Sequence, residues 1–118
     1  MTERNREKMK AWLAAQRKAC LQRQQELQRE ERRDEAVFQR IRANVFELSA
    51  AVLNAAAKQR DPDGFFRLRM QQISSSWASA LQTAEAHGDA VQAHLERLKL
   101  EAAEEIRSAF ERIWSEEA

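Results

Sequence analysis

The sequence predicts an all-α fold, and three observations carry the prediction. Only 2 glycines and 1 proline occur in 118 residues, which leaves room for few turns. Ala, Gln, Glu, Arg and Leu dominate, and these residues carry the smallest penalties in a helix. From Val37 onward, apolar side chains recur at intervals of three and four, the spacing of one helical face. A chain of this length suits one domain with a core of its own. The specific expectation is an antiparallel three-helix core over residues 34–118, preceded by a helical extension over residues 1–33. If that extension folds back, the result is a four-helix bundle.

The extension comes first. Its composition is helical, but its apolar face is thin: Trp12, Leu13, Cys20, Leu21 and Leu27 are nearly all of it. Leu13, Cys20, Leu27, Asp34, Ile41, Leu48 and Ala55 recur every seven residues, so one heptad frame runs through Asp34. The companion positions change from Lys10, Arg17, Gln24 and Glu31 to Phe38, Val45 and Val52. This frame favours one continuous helix over about 3–59, roughly 85 Å long by rise, above a turn near Asp34.

Three aspartates read as helix starts. Asp61 precedes Pro62, which disfavours helical geometry before it and is itself welcome at the first helical position. Asp61 therefore suits an N-cap, with Asp63 opposing the helix dipole. Asp89 follows Gly88, a residue suited to the left-handed end of the preceding helix. Gln92 stands in capping-box position behind Asp89. Asp34 is the third start, without a Gly or Pro before it. These marks delimit helices over about 34–59, 62–87 and 90–116. Their stripes are Val37, Phe38, Ile41, Val45, Leu48, Val52 and Ala56; then Phe66, Met70, Ile73, Trp77, Leu81 and Ala84; then Val91, Leu95, Leu98, Ala102, Ile106, Ala109 and Ile113. Ile41, Leu48, Trp77, Leu81, Leu95 and Ile106 are the expected core. Connections this short make neighbours antiparallel.

The residues argue against chemistry. A nucleophile needs a base within hydrogen-bond reach, and Cys20 is distant in sequence from His87 and His94. The two histidines are separated by Gly88-Asp89 and cannot share the i, i+4 face of a helical metal pair. Glu101, Glu104 and Glu105 lack the Glu-x-x-His partner of a di-metal bundle and read as a solvated face. No enzyme activity, cofactor or metal is expected. Ser74-Ser75-Ser76 with Ala78, Ser79 and Ala80 makes a small-residue helix surface, suited to a tight crossing inside the bundle or to a partner helix. Trp77-Ala78-Ser79-Ala80-Leu81, Gly88-Asp89 and Ala93 resemble one tetratricopeptide helix hairpin, which implies two helices around a Gly-Asp turn. Leu81 and Ala84 stand where that repeat has Gly and Tyr. No second copy follows, whereas such arrays need about three. The likeness is read as turn chemistry that any helical hairpin shares.

The expected function is a non-catalytic helical protein–protein interaction or assembly module. The net charge of +1 hides a gradient: residues 1–33 carry +5, residues 34–84 carry +1 and residues 85–118 carry −5. Trp12, Leu13, Arg17, Lys18 and Leu27 are the candidate interaction residues. An extended arm leaves Trp12, Leu13 and Leu27 uncovered, and a second copy is the simplest cover. The expectation is thus a C2 homodimer, or binding to another helical protein, with the basic arm of one chain near the acidic last helix of the other. The alternative is nucleic-acid binding through Arg4, Arg6, Lys8, Lys10, Arg17, Lys18 and Arg23. Glu3, Glu7 and Glu26 dilute that surface, and nucleic acid selects a more basic domain. The opening Met-Thr-Glu-Arg-Asn-Arg has no apolar run behind it, and no stretch approaches a membrane span. With a single cysteine, the expected location is cytoplasmic.

Overall fold

The computed structural model describes residues 2–116 and contains four helices: α1 (Glu3–Arg29), α2 (Arg33–Ala56), α3 (Pro62–Ala86) and α4 (Ala90–Ser115). The all-α class and the bundle follow the sequence expectation, in its folded-back form. The continuous helix over 3–59 does not form. The chain turns at Glu30–Arg32 instead, and α1 lies antiparallel on α2.

Backbone geometry explains that turn. Glu31 sits at φ 61°, in the left-handed region. The Glu31 N–H donates to Gln28 O at 3.1 Å and the Arg32 N–H donates to Leu27 O at 2.8 Å. This is a Schellman ending. The same pair of bonds closes α3, from Gly88 to Glu85 O at 3.1 Å and from Asp89 to Ala84 O at 2.8 Å, with Gly88 at φ 68°. A glutamate thus does at one turn what a glycine does at the other. Arg32 pairs with Glu30 at 3.1 Å and also with Glu35.

The aspartate starts divide two to one. The Asp61 carboxylate accepts from Gly64 N at 3.1 Å and the Asp89 carboxylate accepts from Gln92 N at 3.0 Å. Asp34 is not a cap: α2 begins at Arg33, which places Asp34 inside the first turn against the dipole. The Gln92 side chain donates forward to Glu96 at 2.8 Å, so the capping box is not completed.

The helices pack in the order α1, α2, α4, α3. Among the described residues α1 and α3 do not meet; α2 and α4 are the central pair, and α1 and α3 occupy opposite corners. Overall extents of 43 × 35 × 22 Å describe a slab about two helices thick. Met9, Leu13 and Cys20 of α1, Phe46 and Leu53 of α2, Phe66 and Met70 of α3, and Ile106 and Phe110 of α4 share one core. Each fully buried large side chain contributes roughly 1.5–3 kcal/mol.

The core is rotated from the expected stripes. Of the six expected core residues, Ile106 is buried; Ile41, Trp77, Leu81 and Leu95 are half-buried, and Leu48 is 40% exposed. On α2 the inward line is Ala36, Ala43, Phe46, Ser49 and Leu53. Its small residues let α1 approach, and that rotation turns Val37 and Leu48 outward.

Candidate functional site

The folded-back α1 removes the surface expected to be functional. Leu13 and Leu27 are 1% and 2% exposed, both covered within the chain. Trp12 is half-buried, its ring edge-on to Phe46 at a centroid distance of 5.8 Å. Arg17 pairs with Glu47 at 3.6 Å on the surface, and Lys18 is exposed. The attraction between basic helix and acidic helix is realised within one chain, where Lys8 Nζ lies 3.7 Å from Glu116. Exposed pairs of this kind contribute about 0–1 kcal/mol.

An apolar groove remains open elsewhere, along the seam of α3 and α4. It encloses about 450 Å³, and Phe66, Met70, Leu100, Ala103, Ile106 and Phe110 give it an apolar floor. Phe66 and Met70 stand one turn apart on α3. Phe110 stacks on Phe66 at 4.8 Å and on Trp114 at 3.9 Å, which fixes one end. The depth comes from Ala103 on α4 and from Ser74 on α3, where larger side chains would fill the space.

Charged residues rim this floor. Arg67 Nε donates to Glu111 at 3.1 Å, while its guanidinium lies 4.9 Å from the Phe110 ring centroid. Arg107 Nε donates to Glu104 at 2.9 Å. The hydrogen bond from Arg107 holds the Glu104 carboxyl below its ordinary range, and the same bond raises Arg107. Ala103 and Glu105 are two residues, or about 200°, apart around α4. Glu105 accepts from Arg42 of α2 at 2.8 Å, so the groove opens on the side of α4 away from α2.

The sequence reading included Phe66, Met70 and Ile106 but assigned them wholly to the core. It missed Phe110, although that residue lies four after Ile106 and three before Ile113 on the same stripe. Nothing in the sequence distinguished Arg67, Glu104, Arg107 and Glu111 from other surface charges; only the pairing of α3 with α4 sets them around one opening.

Two other polar clusters are structural. Cys20 is buried beside Arg42, and burial raises its thiol pKa even though Arg42 acts in the opposite direction. A thiol held protonated is a poor nucleophile. Glu96 is 3% exposed; its Oε1 accepts from Gln92 at 2.8 Å and from Lys99 at 3.1 Å. His94 packs edge-on to Phe38 at 4.6 Å, between α4 and α2. No cluster of three metal-ligating side chains occurs among the described residues, and none of their helices is long and apolar enough to cross a membrane. No protein-family model, curated protein or solved structure gave a significant match to the chain.

Proposed function

We propose that the protein is a non-catalytic helical interaction module that receives apolar side chains of a partner helix in the α3–α4 groove. The observation that carries this reading is the groove floor itself. Six apolar residues lie open along a helix seam in a chain that otherwise covers its apolar stripes with its own helices. Helix-in-groove recognition uses such a floor, with anchors at i, i+3, i+4 and i+7 on the incoming helix. A small-molecule site would want convergent polar groups to orient the ligand. Here both arginines at the rim are engaged with Glu111 and Glu104. The lone, buried, protonated Cys20 supports a reducing compartment such as the cytoplasm, and its burial supports a role without catalysis.

Affinity capture with the full chain and with Ser74→Arg tests the reading, after thermal melts have shown both folded. A partner, including an untagged copy of the chain, held by the first and lost from the second supports it. An identical captured set overturns it.

One observation favours a second reading. Arg4, Lys18 and Arg29 fall on one outward line of α1, within about 40° of each other by helical rotation, and all are exposed. With three such cations, duplex binding through this face would fall with a log–log salt slope near −3. A salt-independent interaction rules that reading out.

A further inference from the structure

Resting on the reading of the α3–α4 groove as a docking site, we propose that its occupant is a second copy of this chain, with Leu68 of each copy seated in the groove of the other. A two-fold interface must carry both the knob and the hole on the same patch. This face does. Leu68 is 56% exposed, one of the large apolar side chains the fold leaves in solvent. It follows Arg67 by one residue and precedes Gln71 by three, and both of those line the groove. On a helix the i, i+3 pair are surface neighbours, so Leu68 flanks the rim.

The rim charges select the same occupant. Arg67 and Arg107 face Glu104 and Glu111 in equal number, so the ring has no net charge. A strongly acidic or basic helix gains nothing there. The ring's own two-fold image can meet it with opposite signs opposed, which is how charge sets register and rejects wrong partners. Sterics agree: the opening lies on the side of α4 away from α2, and α1 lies beyond α2, so neither obstructs a second α3–α4 pair. Each helix is about 38 Å long, and a two-helix face about 20 Å across offers roughly 750 Å². That is near the roughly 800 Å² per partner of a standard interface, which predicts a weak, concentration-dependent dimer.

Sedimentation equilibrium of the full chain from low-micromolar to millimolar concentration tests the proposal, beside Leu68→Glu and Arg107→Glu. Leu68 and Arg107 are exposed, so both variants fold, and unchanged melts verify it. The expected result is a monomer–dimer equilibrium weakened at least tenfold by L68E. R107E weakens it as well, and the double variant Glu104→Arg/Arg107→Glu restores it. A chain that stays monomeric at millimolar concentration overturns the proposal, as does a dimer indifferent to L68E. If the chain is monomeric yet a different partner is lost on Ser74→Arg, self-association fails while the docking reading stands. If the chain is monomeric and S74R changes nothing, both fail.

Discussion

Glu31 holds α1 against the bundle from the least favourable backbone position in the described chain. Its φ of 61° is the value Gly88 adopts without steric penalty at the corresponding turn of α3. An L-residue there costs about 1–2 kcal/mol. Glu31→Gly should therefore raise stability by about 1 kcal/mol, read as a higher urea midpoint with unchanged slope. A lower midpoint would mean that the Glu31 side chain contributes more than its backbone costs. Cys20 offers a second measurement at this scale. Its thiol is buried and its pKa raised, so modification by a water-soluble disulfide reagent should be slow at neutral pH and accelerate in urea. Since the folded pKa lies above the unfolded one, the folded state keeps the proton more tightly. The stability contributed by the neutral thiol is fully present at neutral pH and declines as pH rises through the alkaline thiol range. Equal labelling rates in the folded and unfolded chain would show that the site is open.

At the level of elements, legibility followed turn chemistry. Asp61-Pro62 and Gly88-Asp89 announce their helix boundaries because Pro, Gly and a capping carboxylate each restrict or satisfy the backbone there. The end of α1 carries no such residue, and an unbroken heptad through Asp34 pointed to continuation. The rotation of α2 was hidden for a related reason. Ala36, Ala43 and Ser49 are small, so they score weakly as a stripe, yet small residues are what permit α1 to pack closely. The thin line of Leu13, Cys20 and Leu27 was visible, and it suffices because a corner helix has little more than one neighbour to face. The groove escaped notice because its floor was taken as core and its rim depends on which helices pair. Two substitutions probe these elements. Asp61→Ala removes the bond from Gly64 N and should cost on the order of 1 kcal/mol; an unchanged midpoint would contradict the cap. Phe110→Ala, at a site 1% exposed, should cost about 3–5 kcal/mol, and Trp77→Ala, half-buried, distinctly less. The reverse order in paired melts would displace the core from Phe110 toward Trp77.

For the whole molecule, folding and function turn on where α1 lies. Because Met9 and Leu13 belong to the core, deleting residues 1–29 should uncover Phe46 and Leu53, broaden thermal unfolding and promote aggregation. A truncated chain that melted as sharply as the intact one would restore the three-helix core with a dispensable arm. With α1 folded inward, the expected docking surface closes and the α3–α4 face becomes the apolar opening of the slab. Amide chemical shifts of the intact chain, followed as its own concentration is raised, test this account most directly. The account predicts shifts confined to Arg67–Ser75 and Leu100–Glu111, with the exposed faces of α1 and α2 unmoved. Shifts centred on Arg4, Lys18 and Arg29, or none at millimolar concentration, would contradict it.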